Sequence, residues 1–119
     1  MRVDVNKEDG VLVLTPMEKS LDASVSGDFK QRLLEEIEGG GKQMVLDLSQ
    51  VEFMDSSALG ALVSALKAMG NVGDLAVCGV QNQVKDVFKL TRLDRVFRLF
   101  DNRGQACGAL VDQKRQAPA

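Results

Sequence analysis

The sequence contains no histidine, no tryptophan and no tyrosine, and only two cysteines and two prolines in 119 residues. Each absence excludes chemistry. Without histidine there is no Ser-His or Cys-His nucleophilic pair, no imidazole base and no imidazole metal ligand. Five phenylalanines are the only aromatics, so the stacking platforms that hold single-stranded nucleic acid are missing. Cys78 and Cys107 are too few for a disulfide framework and lack metal-ligand spacing. Cys78 closes the apolar run Leu75-Ala76-Val77-Cys78 and reads as a small buried hydrophobe. The charge is nearly balanced, 15 basic against 17 acidic residues, with no basic block. Nucleic acid and acidic membranes are therefore poor partners. No apolar run approaches the ~20 residues of a membrane-spanning helix. Residues Met1 to Lys7 lack the apolar core of a signal peptide. A cytoplasmic protein without membrane insertion is expected.

What is present is a single domain's worth of alternating strand and helix signals. Val3 and Val5 alternate with polar neighbours, and Val11-Leu12-Val13-Leu14 follows the Asp9-Gly10 dipeptide. Asp-Gly between apolar runs predicts a tight hairpin. A helix is expected from near Asp22 to about Glu38, with Val25, Phe29, Leu33 and Ile37 as its apolar stripe. Gly39-Gly40-Gly41 reads as its stop; no Gly-Lys-Ser/Thr follows to make a phosphate loop. Met44-Val45-Leu46-Asp47-Leu48 and Leu75 to Val80 have the near-continuous apolar character of interior strands. Between them lies a helix from about Ser57 to Met69. Gln81 to Leu90 reads as a helix with Val84, Val87 and Phe88 inward, and Arg95 to Phe100 as a last strand. A final helix capped by Asp101 or Asn102 holds Ala106, Ala109 and Leu110, with a flexible tail over residues 112–119. This alternation implies an α/β fold: a mainly parallel sheet of four to five strands, an antiparallel N-terminal edge hairpin and four helices.

The stretch Met54-Asp55-Ser56-Ser57-Ala58-Leu59-Gly60 carries the polar chemistry. Asp55 and Ser56 are both good N-cap residues. Unpaired amides and the helix dipole would also tolerate a phosphate there. On a helical wheel Leu59, Leu62, Val63, Leu66 and Met69 form a core side, and Ala58, Ala61, Ala65 and Ala68 a bare adjoining side. Only Lys67 is charged. A wholly buried helix fits this pattern, and so does one with a smooth docking face. With three other helices to cover the sheet, the partly exposed version is expected. An enzyme with Ser56 or Ser57 as nucleophile lacks a base, since Lys67 lies about three helical turns away.

Phe53-Met54-Asp55-Ser56-Ser57-Ala58-Leu59-Gly60 resembles the signature of STAS domains, particularly the bacterial anti-sigma factor antagonists. Leu21-Asp22-Ala23 resembles the element ahead of that family's first helix. Residues 84–93 resemble the helix before its final strand. The likeness spans residues 3 to about 111. It implies a single STAS domain over residues 1–111 in which Ser56 is phosphorylated, flanked by Asp55 and Ser57. Asp22, Ala58, Leu59, Gly60, Ala61 and Ala65 would face the partner. That partner would be a serine-kinase anti-sigma factor, bound only while Ser56 is unmodified, with a serine phosphatase resetting the switch. The kinase would supply nucleotide, metal and base, so no cofactor is expected here. A monomer or weak dimer is expected. Ala58 departs from the glycine the family often has there, which bears on partner identity more than on fold. The resemblance also leaves open an alternative, a non-switching scaffold subunit of a stress-sensing or lipid-transport complex in which Ser56 merely caps the helix.

Overall fold

In the computed structural model, residues 1–70 and 73–116 are described. Strands β1 (Val3–Glu8) and β2 (Val11–Pro16) form the expected antiparallel hairpin, with Glu8 opposite Val11. Asp9 and Gly10 both take positive φ, 54° and 83°. Two consecutive left-handed residues make the hairpin turn whose twist matches that of the strands.

The short strands β3 (Ser20–Leu21) and β5 (Phe53–Met54) pair parallel with each other, apart from the main sheet. Neither is anticipated by the sequence pattern, since two residues show no period. Helix α1 runs Ser26–Glu38, four residues later than expected. The Asp22 carboxylate accepts from the Ser24 amide at 2.9 Å and is thereby committed to a turn, not a helix cap. The amides of Gly39, Gly40 and Gly41 donate to the carbonyls of Glu35, Ile37 and Glu36, which stops the helix and leaves no phosphate cradle.

Beyond them come β4 (Gln43–Asp47), α2 (Ser56–Met69), β6 (Asp74–Cys78), α3 (Asn82–Leu90), β7 (Arg98–Phe100) and α4 (Arg103–Gln116). The last strand is shorter than expected because Leu93–Arg95 form a 3-10 turn. α4 continues as helix to Gln116 where a tail was expected from Asp112; residues 117–119 lie outside the described residues. The main sheet has the order β1-β2-β4-β6-β7, parallel except for the first pair.

Side chains alternate across it. Leu12, Leu14, Met44, Leu46, Leu75 and Val77 join α1, α2 and α3 in one core, where the Phe88 and Phe97 rings meet edge to face at 6.1 Å. Val11, Val13, Val45, Ala76 and Cys78 join Ala106, Cys107 and Leu110 of α4 in another. Arg103 pins α4 to the sheet. It donates to Asp47 Oδ2 at 3.0 Å and to Thr15 Oγ1 at 3.0 Å, and lies 3.6 Å from Glu8.

Candidate functional site

Asp55 is the N-cap of α2, with extended backbone (φ −108°, ψ −178°). Its Oδ1 accepts from the Ser57 amide at 3.0 Å, the Ala58 amide at 3.2 Å and the Ser57 hydroxyl at 2.5 Å. This satisfies two of the orphan donors that open any helix. Its Oδ2 accepts from the Ala23 amide at 3.1 Å, across 32 residues of sequence. The β3–β5 pairing makes that reach possible: Leu21 lies opposite Met54, and the Asp55 amide donates to the Leu21 carbonyl at 3.2 Å. Asp22 stands beside it, accepting from the Ser24 hydroxyl at 2.5 Å and the Ser20 hydroxyl at 3.2 Å. One short parallel ladder thus brings together two carboxylates and the start of α2.

The two adjacent serines are in different states. Ser57 is half-buried and its hydroxyl is committed to Asp55. Ser56, the first residue of α2, is exposed, and its hydroxyl makes no hydrogen bond to the described residues.

Both carboxyls are held below their ordinary value of 3.8. For Asp55 the Ser57 hydroxyl is the main cause, with burial opposing and the Ala58, Ser57 and Ala23 amides assisting. For Asp22 it is the Ser24 hydroxyl, then the Ser24 amide. A depressed folded value stabilises the fold fully above the unfolded value and loses that contribution as pH falls through the folded one. Urea unfolding measured between about pH 5 and pH 2 should therefore show stability declining on the acid side. Asp55→Asn, which still caps the helix, should flatten part of that decline.

Most of the bare side of α2 is core, not the partly exposed face that its residue pattern predicts. Ala58, Ala61 and Ala65 are 0%, 5% and 0% exposed, and Leu59 is buried with them. They share one core with Phe29 and Leu33 of α1. Their small side chains let α1 pack along α2; they do not form a docking face. Of the residues expected to face a partner, only Asp22 and Gly60 reach the surface. Ala68, the fourth alanine of that side, is exposed, so the solvent side of α2 is Ser56, Gly60, Lys67 and Ala68, with Val63 and Ser64 half-buried between them. Ala58 is fully buried in this core. Phe53, on β5 just before the cap, is 44% exposed and extends the surface. Among the described residues no group of His, Cys, Asp or Glu could hold a metal ion, and no helix is long and apolar enough to cross a membrane.

Residues 2–106 match the STAS domain family. The chain belongs to the STAS domain family. A candidate anti-sigma factor antagonist of Thermotoga neapolitana is 32% identical over 100 residues, covering 82% of this chain and 88% of that protein. The anti-sigma F factor antagonist of Paenibacillus polymyxa is 27% identical over 108 residues, covering 89% and 92%. The crystal structure of an anti-sigma factor antagonist from Mycobacterium paratuberculosis superposes with a TM-score of 0.85 at 25% identity, covering 92% of each chain. As a STAS domain the chain has the expected architecture, a five-stranded mixed sheet with four helices. The Asp55-Ser56-Ser57 junction lies inside the matched residues, at the turn from β5 into α2.

Proposed function

We propose that this STAS domain is an anti-sigma factor antagonist whose partner binding is switched off by phosphorylation of Ser56. The observation that carries the proposal is the contrast between the serines: Ser56 offers an exposed, uncommitted hydroxyl, while that of Ser57 is tied to Asp55. The partner is a serine-kinase anti-sigma factor, and a serine phosphatase restores the binding form. The docking surface is Ser56, Gly60, Ser64 and Lys67 on α2, with Phe53 and Asp22 at its end. Phosphorylation adds about −1.5 to −2 charges beside two carboxylates that are already ionised. The dipole of α2 favours the dianion in the free protein. A partner covering the same spot would have to bury it.

Gly60 supports the same surface. A Cβ built there meets nothing within 4 Å. Glycine inside a helix costs about 0.5–1 kcal/mol relative to alanine, and here no packing within the domain requires it. Gly60→Ala should thus raise the stability of the free domain by about that amount and weaken partner binding, read by urea unfolding and calorimetric titration.

The phosphorylation site is tested by incubating the domain with candidate serine-kinase anti-sigma factors and ATP, then mapping the phosphate by mass spectrometry. Phosphate on Ser56 alone is expected. Phosphate on Ser57, or none with any kinase, overturns the assignment.

A further inference from the structure

The C-terminal cap of α3 forms a second surface that shares no residue with the Ser56 junction. Leu90 is 85% exposed and Val96 is 52% exposed. The segment between them is folded tightly, not loose. The Arg92 amide donates to the Lys89 carbonyl, the Arg95 amide to Arg92, and the Val96 and Phe97 amides to Leu93. Phe97 is buried against Phe88, which fixes the turn to the core. Two large aliphatic side chains are therefore held in solvent by a rigid scaffold, where an unconstrained chain could have turned them inward.

Charge marks the same place. Lys85, Lys89, Arg92 and Arg95 are exposed, and none is in an ion pair among the described residues. Over residues 85–96 these four face only Asp86 and Asp94, an excess of two positive charges in a chain whose net charge is −2. Arg92 is also left-handed, at φ 61° and ψ 18°. Glycine is the usual residue after a helix in this conformation, because it has no Cβ to strain. An arginine there keeps its guanidinium at the expense of the backbone.

We propose that Lys89–Val96 is a docking surface for an acidic protein segment. Leu90 and Val96 anchor its apolar side chains, and Lys89, Arg92 and Arg95 pair with its carboxylates. Asp86 and Asp94 break up the positive field, which suits a patterned protein surface better than a uniform sheet of anionic lipid. The remaining chain, with its own excess of acidic residues, would also be repelled by such a membrane.

The test uses the isotope-labelled full chain and an amphipathic peptide of leucine and glutamate at helical spacing. The same peptide with lysine for glutamate is the control, and vesicles of phosphatidylcholine with one part in three phosphatidylglycerol are the lipid arm. The acidic peptide should shift amide resonances of residues 85–98, saturably, with the response lost at high salt. The lysine peptide and the vesicles should give none. Leu90→Ser should weaken the response about tenfold, about 1.4 kcal/mol, with the thermal midpoint unchanged. Arg92→Gly should weaken it similarly while raising the midpoint, because the left-handed strain is relieved. Ser56→Glu should leave it intact, so failure here is separate from failure of the phosphorylation switch. Equal response to both peptides, no response to the acidic one, insensitivity to Leu90→Ser and Arg92→Gly, or preferential vesicle binding overturns the proposal.

Discussion

Ser56→Glu is expected to lower affinity for the kinase partner by about 100-fold or more while leaving the domain folded. A carboxylate buried at an interface without a counter-charge costs about 3–5 kcal/mol, and 1.4 kcal/mol is tenfold in affinity. The free domain does not meet that penalty. Residue 56 is exposed at the first position of α2, where negative charge is favoured by the helix dipole. Asp55 would keep its bonds to the Ser57 and Ala58 amides, since Ser56 takes no part in them. Thermal unfolding should accordingly be close to wild type, and calorimetric titration should lose its signal. Ser56→Ala, which removes the hydroxyl without adding charge, should bind and never switch off. The pair separates loss of a hydrogen bond from gain of a charge.

Ala65→Leu is expected to destabilise the domain by about 1–3 kcal/mol, the usual range for forcing extra methylenes into a filled core. Ala65 is fully buried, in the same cluster as Phe29 and Leu33 of α1. The side chain would have to displace α1 or leave its rotamer well. Had this side of α2 been a docking face, the substitution would leave stability unchanged and alter only binding. Ser64→Leu, one residue earlier and half-buried on the solvent side, is the matched control and should reverse the pattern. Chemical denaturation of both variants decides between the two descriptions of the helix.

This pair also marks the limit of what the sequence conveys. A hydrophobic wheel identifies a small, uncharged side of α2 but cannot say whether another helix or another protein covers it. Only the position of α1, which depends on the turn at Asp22, decides that. The hairpin at Asp9-Gly10, the helix stop at Gly39 and the cap at Asp55 were legible because each depends on local chemistry. The β3–β5 ladder was not, because two-residue strands carry no period. A trace of it does exist in the sequence: Leu21-Asp22 and Met54-Asp55 are both a buried apolar residue followed by an acid, and they pair side by side. The Arg103 clamp was equally hidden, since Asp47 lies 56 residues away and no local pattern joins them. The candidate serine could be located from sequence. The distinction between a free Ser56 and a tied Ser57 required the coordinates.

On this reading a single phosphate on Ser56 separates a binding form from a non-binding form of one folded domain. The most direct measurement compares partner affinity for the unmodified domain, for the domain phosphorylated to completion by its kinase, and for the same sample after phosphatase treatment. Binding, loss of at least about 100-fold and full recovery are expected in turn, with superimposable circular dichroism spectra throughout. Equal affinity of the phosphorylated and unmodified forms would contradict the switch.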